Sequence, residues 1–333
     1  MATYFSSLVH IQRNALNMKK KRLTAFLALL ISATTFGACM NTDKHTAFSH
    51  YWFQDVDLPT DSVETLTYDV SFESGSGLSG YEVDYEGTYV MTLHTDTTEK
   101  TFRLETELIT NATYSYKGES VTLENDTVTS WAEFALDKSL TPIASHKEIK
   151  GYSPVTGSVA TIEDCYEEVN YTVDTTYEAD GKSGKCVTVN NLTEATQTQS
   201  FEADEDYTPI DNEYLLLALR GINPSSYVAP TLSVYAPFTA ANQLIDVKVG
   251  SKEEGTSFTF TRNDEEAKER VINYYPLTLS IQSSMPGQSQ TVWVAETGNA
   301  KSNSYRNVIL QMEIPVSYNL GTLVYKLTSA QFA

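Results

Sequence analysis

The feature that most constrains the fold is a strict alternation of apolar and polar residues, which begins at Leu66. Tyr68, Val70 and Phe72 share one face of an extended chain, and the residues between them are all polar. A period of two residues is that of a β-strand with one buried face. Similar runs follow at residues 89–93, 102–108, 121–123, 275–281, 292–294, 310–316 and 323–327. Because polar turns rather than helices separate these runs, the chain is predicted to be mainly β, with a large antiparallel sheet. This sheet is either a sandwich or the curved, half-barrel-like sheet that a resemblance described below implies.

One segment departs from the alternation and predicts a helix near residues 212–220. Asp211 is suited to cap its N-terminus, and Gly221 is suited to end it. An apolar stripe on a lone helix must cover something, so this helix is expected to pack on the sheet. In a half-barrel, an apolar ligand cavity would lie between that stripe and the inward residues of a late strand, with walls formed by Leu215, Leu216, Leu219, Leu277, Leu279 and Ile281. An ordinary packed core explains the same stripe.

The N-terminal segment carries an export pattern. Four consecutive basic residues, Lys19 to Arg22, precede an uncharged, largely apolar run at 23–36, followed by Gly37, Ala38 and Cys39. The run is too short to span a bilayer, which needs about 20 apolar residues. Met18, directly before the basic residues, is the expected initiator.

This order of charge, apolar run, small residues and cysteine resembles the bacterial lipobox, although Phe36 stands where that family usually has an aliphatic residue. The resemblance implies that Cys39 receives a diacylglyceryl anchor and becomes the first residue after cleavage. An ordinary secretory signal or a buried amphipathic helix are the alternatives. The expected organisation is a signal peptide at 1–38, a lipid-anchored tether at 39–61 and a β-rich domain at 62–333. The lipid would hold the protein at the outer face of the cell membrane, or at the outer membrane or in the periplasm of a two-membrane envelope.

Charge restricts the partners of the chain. Five of its 23 basic residues lie in the first 38 residues, which contain no Asp or Glu, so cleavage would leave 18 basic and 43 acidic residues, a net charge of −25. Nucleic acid binding needs a positive field, so nucleic acid is not an expected partner. The expected partners are the membrane, through the lipid, and an apolar small molecule or an envelope protein.

Two further cysteines, Cys165 and Cys186, lie in Val-, Tyr- and Thr-rich stretches. An exported protein is permitted a disulfide, and one here would close a loop of about 20 residues, worth roughly 3 kcal/mol. The alternative is a pair of buried thiols on neighbouring strands.

The sequence lacks the common motifs of serine hydrolases, penicillin-binding proteins and zinc proteases. Gly-x-Ser-x-Gly, Ser-x-x-Lys and His-Glu-x-x-His do not occur, so no catalytic residue, cofactor or metal ligand is predicted. The favoured function is therefore non-enzymatic binding of an apolar ligand or an envelope partner. The alternative is an envelope glycan hydrolase with paired Asp or Glu residues about 5 to 9 Å apart, although 43 acidic residues leave the pair unidentified.

Two short phrases carry a second resemblance. The stretch 134–142, and Ile314-Pro315-Val316 followed by 321–327, resemble uncharacterised bacterial envelope proteins that are similar to lipoprotein-carrier half-barrels. That resemblance implies a curved antiparallel sheet that wraps a helix and can shelter an apolar ligand.

We expect Cys39→Ala to abolish membrane retention while the β-rich domain stays folded, because the anchor and the core are separate elements. Detergent-phase separation of fractionated cells measures this, with Met40→Ala as the neighbouring control that keeps the thiol. Continued partition of the Cys39→Ala protein with membranes would refute the lipobox interpretation.

Overall fold

The computed structural model describes residues 61–333, apart from 76–79, 138, 156–158, 204–206, 208, 223–229, 238–240, 264, 283–288, 297–306 and 317–320. The predicted signal peptide, Cys39 and all but the last residue of the predicted tether lie outside the described residues. Within them, no helix has the length and apolar character needed to cross a membrane.

Sixteen strands are described, and they confirm that the chain is mainly β. They are β1 (Ser62–Ser74), β2 (Glu82–Asp96), β3 (Thr101–Tyr116), β4 (Glu119–Ala135), β5 (Pro142–Pro154), β6 (Tyr166–Tyr177), β7 (Ser183–Asn190), β8 (Ala195–Glu202), β9 (Pro209–Asp211), β10 (Thr231–Ala236), β11 (Ala241–Val249), β12 (Glu253–Arg262), β13 (Lys268–Ile281), β14 (Gln290–Ala295), β15 (Ile309–Val316) and β16 (Gly321–Phe332). The helical elements among the described residues are two 3-10 turns, η1 (Glu163–Cys165) and η2 (Asn212–Tyr214), and one short α-helix, α1 (Leu215–Leu219).

All sixteen strands belong to one sheet, in the order β8-β7-β6-β5-β4-β3-β2-β1-β16-β15-β14-β13-β11-β10-β9, with β12 bonded to both β13 and β16. Pairing is antiparallel except between β9 and β10 and between β12 and β16. Because β12 joins β13 to β16, strands β12 to β16 close into a five-stranded barrel. The sheet from β1 to β8 extends from this barrel through the pairing of β1 with β16.

The alternation in the sequence becomes two distinct faces in strands β2 to β5. We call the face that carries Tyr89, Leu108, Val128 and Ile149 the inner face, since these residues pair in one row across the four strands and most are buried. Lys147, two residues before Ile149, lies on the same face. The opposite, outer face carries more exposed residues such as Glu107. Burial of the inner row is what orients these strands, because a one-residue slip would turn the apolar set toward water.

The predicted helix is present, but it is shorter and more enclosed than expected. Asp211 caps it by accepting a hydrogen bond from the backbone N–H of Glu213 at 2.8 Å, and the first turn is the 3-10 turn η2. All five residues of α1 are buried, not only the predicted stripe, because its remaining sides also face protein. Tyr214 fixes the start of α1, since its ring stacks on Phe134 and its hydroxyl donates to the Leu140 carbonyl at 2.7 Å.

A buried ion pair holds the other end of α1 to the sheet. Arg220 Nη1 and Nη2 donate to Glu64 Oε1 and Oε2 at 2.5 and 3.2 Å, and the two residues are only 1% and 4% exposed. The Asn307 side-chain amide donates to the Arg220 carbonyl at 3.0 Å. Since Glu64 lies on β1, the pair joins the end of the helix to the strand between the barrel and the rest of the sheet.

Of the two alternatives left open for Cys165 and Cys186, the disulfide is wrong and the buried thiols are present, because both thiols are free and buried. Cys165 ends η1 at the start of β6, whereas Cys186 on β7 pairs with Thr175 near the end of β6. Ten strand residues span about 33 Å, far beyond the limit of about 7 Å between bridged Cα atoms. Burial raises the pKa of both thiols, so neither is a reactive thiolate.

We expect Arg220→Met to destabilise the protein by about 3 to 5 kcal/mol, because the Glu64 carboxyl group would be left in the interior without its partner. Glu64→Gln combined with Arg220→Met should recover much of the loss. Urea denaturation midpoints measure both. Arg103→Met, which removes a half-exposed pair with Glu133, is the control and should cost about 1 kcal/mol or less. Equal losses in the two single variants would contradict the assigned role of the buried pair.

Candidate functional site

A narrow cleft lies between the inner face of strands β2 to β5 and the segment formed by η2 and α1. Tyr89, Leu108 and Val128 form its apolar wall on the sheet, and Leu215 and Leu216 form the wall on the helix. Its volume is about 30 Å³, enough for a water molecule. Pockets that enclose drug-sized ligands have volumes of about 300 to 1,000 Å³. The cleft in this conformation is therefore nearly closed by the helix.

The rim of the cleft is charged. Lys147, on β5, donates through Nζ to both carboxylate oxygens of Glu213 on η2, each at 3.1 Å. Both side chains are 6% exposed, so the pair is largely removed from water. Beside it on the sheet, the Thr106 and Ser130 hydroxyls lie 2.7 Å apart. An ion pair, two hydroxyls and the side-chain amides of Asn212 and Gln290 thus border the apolar walls of the cleft.

Asp211 is the buried carboxylate that fixes η2 over the sheet. Its Oδ2 accepts hydrogen bonds from Ser145 Oγ on β5 and from the Tyr177 hydroxyl on β6, both at 2.6 Å, while its Oδ1 serves as the helix cap. Burial, and secondarily the charge of Glu213, raise the pKa of Asp211 to about 6, and its three hydrogen bonds oppose that rise. Both carboxylate oxygens accept hydrogen bonds from the protein, so Asp211 holds the segment in position.

The six predicted cavity residues are all buried, but the structure brings only some of them to the cleft. Leu215 and Leu216 line it, whereas Leu219 packs away from it. Leu277, Leu279 and Ile281 lie on β13 in the core and do not line the cleft. The residue of this region that does line the cleft is Gln290 on the neighbouring strand β14, which pairs with Leu279. The predicted ligand cavity between the two leucine groups stays a prediction.

Lys147 and Glu213 are site residues that were not predicted from the sequence. A signal for Lys147 exists, because it lies at an inward position between Ser145 and Ile149 in the period-two pattern of β5. A lysine at an inward position requires a buried partner. Nothing in the sequence identifies that partner, which lies 66 residues further along the chain.

A wider groove crosses the outer face of the same strands. Its volume is about 340 Å³, and its lining includes Val90, Thr92, Glu105, Glu107, Thr129, Trp131 and His146. Arg103 lies over the Trp131 ring at 4.3 Å from the centroid, and the His146 ring is nearly parallel to the indole at 5.9 Å. His146 Nδ1 is 2.7 Å from Asp174 Oδ1. Among the described residues, no group of three or more His, Cys, Asp or Glu is arranged to hold a metal ion.

We expect the free energy of unfolding to fall between about pH 4 and pH 6 because of Asp211. The unfolded chain releases this proton near pH 3.8 and the folded chain near pH 6, so in this window the folded state binds more protons and loses stability as pH rises. Two pKa units correspond to about 3 kcal/mol. Denaturant titrations of the wild type and Asp211→Asn across this range test it, because the variant should lack this part of the fall. Parallel pH profiles would contradict the prediction.

Comparisons with known proteins leave the family of this chain unassigned. No protein-family model matches it, and no curated protein matches it. Among solved structures, a β-barrel-like protein of a domain of unknown function, DUF1849, from Brucella abortus is similar. The likeness covers 83% of this chain and 99% of that chain, with 11% sequence identity and a TM-score of 0.48. A likeness at this level says nothing about function.

Proposed function

We propose that this protein is a lipid-anchored bacterial envelope lipoprotein whose non-enzymatic β-rich domain binds an apolar ligand, with an envelope protein as the other partner class. The observation that carries the proposal is the cleft between sheet and helix, which has apolar walls and a charged rim. Such a combination suits an amphiphile, whose apolar chain packs on the walls while its polar end is bound at the rim.

The rim selects the polar end of the ligand. Lys147 is the cation among the cleft residues, and in the closed form Glu213 neutralises it. An acidic head group, such as a carboxylate, would replace Glu213 as the partner of Lys147. The exchange keeps the buried lysine paired throughout, which avoids the large cost of an isolated buried charge.

Ligand entry requires the helical segment to move. A closed volume of about 30 Å³ is roughly a tenth of the smallest typical ligand pocket, so an acyl chain fits only when Leu215 and Leu216 leave the sheet. The α-helix is five residues long and all of its residues are buried, and Tyr214 before it stacks on Phe134. Its displacement therefore exposes apolar side chains, which the acyl chain of the ligand would have to cover.

The lipobox-like segment before Cys39 supports the proposed location. A lipid on Cys39 would tether the domain to a membrane face, where amphiphiles are concentrated. The membrane is then both the site of attachment and the source of the ligand.

We expect Leu216→Ala to alter uptake of a fluorescent fatty acid more than it alters stability, because Leu216 forms a wall of the cleft. The matched control is Leu219→Ala on the same helix, away from the cleft, which should lose about 2 to 5 kcal/mol of stability and leave ligand affinity unchanged. Denaturant midpoints and fluorescence titrations are measured for all three proteins. Absence of binding by the wild type, with equal stability losses in both variants, would refute the ligand proposal.

Glycan hydrolysis is the second candidate, and one observation favours it. Glu105 and Glu107 share the outer groove with Trp131, and alternate residues of a strand lie about 7 Å apart, within the range of separations used by glycosidases. Incubation of the purified protein with envelope glycans distinguishes the candidates, since turnover that Glu107→Gln abolishes would replace the binding proposal with this one.

A further inference from the structure

The two ends of the large sheet are built differently. At one end, β9 has three residues, begins with Pro209 and continues directly into η2. A short strand with a proline followed by a helix is a common way to prevent further strand pairing. At the other end, β8 has eight residues, contains no proline, and pairs with β7 over its whole length without a bulge.

The far side of β8 is unpaired within the part of the chain that the structure describes. In an antiparallel ladder, alternate residues direct their backbone N–H and C=O groups away from the neighbouring strand. Thr196, Thr198 and Ser200 are exposed, and Gln197 and Gln199 are half-buried. Among the described residues, this edge is therefore exposed from Ala195 to Ser200 and able to accept another strand.

The edge also lacks the charges that usually protect such strands. Residues 195–201 contain no charged side chain, in a chain that has 43 acidic residues and a formal net charge of −20. Natural edge strands commonly carry lysine or other charges that discourage pairing. Two copies of this acidic chain repel each other over most of their surface, so an uncharged edge is where they can approach.

The edge is rigidly held, so pairing would cost little ordering of the chain. Phe201 stacks on Tyr235 of β10 and makes an edge contact with Tyr177 of β6. The Asn242 side chain on β11 donates to the Glu202 carbonyl, which closes the end of β8 beyond residue 201. A preorganised template of this kind favours strand addition.

We propose that a second copy of this chain pairs with β8 along residues 195–201, in antiparallel orientation about a two-fold axis at Thr198. The two sheets then continue across the dimer, as expected for an isologous contact. In this register Thr198 faces its own counterpart, and Thr196 faces Ser200 of the other copy. Glu194 has a positive φ of 59° and lies outside the strand, so it need not stand opposite Glu202.

The register gives a direct test with the anchored full-length chain. Directly opposed residues have Cβ atoms about 4.5 to 5.5 Å apart, so Thr198→Cys should form a disulfide-linked dimer of twice the chain mass on mild oxidation of membranes. The control is Leu192→Cys, 46% exposed in the β7–β8 loop, whose copies would lie far apart. The unsubstituted chain is the second control, because it keeps Cys39 as well as the buried Cys165 and Cys186 and so reports any cross-linking that does not come from position 198. Cross-linking of Thr198→Cys no stronger than that of Leu192→Cys overturns the proposal.

Charge substitutions at exposed positions flanking Thr198 give a second test of the same register. In the Thr198→Cys chain, Thr196→Lys with Ser200→Lys places like charges opposite each other and should reduce cross-linking about tenfold, given two unfavourable cross-strand pairs. Thr196→Lys with Ser200→Glu places opposite charges there and should retain it. Equal cross-linking of the two variants, or an adduct whose mass is not twice that of the chain, would overturn self-pairing.

Discussion

The ion pair between Glu64 and Arg220 is the interaction on which the arrangement of the other elements depends. Glu64 lies on β1, the strand that pairs with β2 on one side and with β16 of the barrel on the other. Arg220 lies directly after α1, 156 residues later. Two hydrogen bonds between a planar guanidinium and a carboxylate fix direction as well as distance. The pair therefore determines where the helical segment crosses the sheet.

Burial makes that pair a source of specificity more than of stability. The desolvation of two ions offsets much of their attraction, so an apolar replacement of the same volume can be equally stable. A misplaced helix, however, would leave Glu64 or Arg220 in the interior without its partner, at a cost of several kcal/mol. The same reasoning applies to Lys147 and Glu213, and to Asp211 with Ser145 and Tyr177. Together these contacts specify one position of the helical segment on the sheet, because apolar packing is less directional than hydrogen bonds between charged groups.

The strands could be predicted because their signal is local. Alternation at Tyr68, Val70 and Phe72 reports which face of β1 is buried, whatever lies opposite. The cap at Asp211 is equally local, since it involves a residue two positions away. The barrel closure could not be predicted, because the parallel pairing of β12 with β16 joins Thr261 to Ser329 and follows from the whole topology.

The polar residues of the site escaped prediction for the same reason. Lys147 and Glu64 interrupt the apolar pattern of their strands. The sequence alone does not show that such an inward charged residue is paired, because its partner lies far away in the chain. The two cysteines show the converse error, because closeness in sequence and suitable composition suggested a bridge, while the full length of β6 separates them.

The distribution of these polar contacts along the helical segment also determines how the segment can move. Its C-terminal end is attached by Arg220 to Glu64, deep in the sheet and away from the cleft. Its N-terminal end is attached by Glu213, Asp211 and Tyr214, and Glu213 itself lines the cleft. If the proposed ligand binds at the rim, it competes with Glu213 for Lys147, but it does not replace the partner of Glu64. The opening proposed for ligand entry would then swing the segment about Arg220, so that the Tyr214 ring leaves Phe134 and the cleft widens beside Leu215 and Leu216 while the ion pair on β1 stays intact.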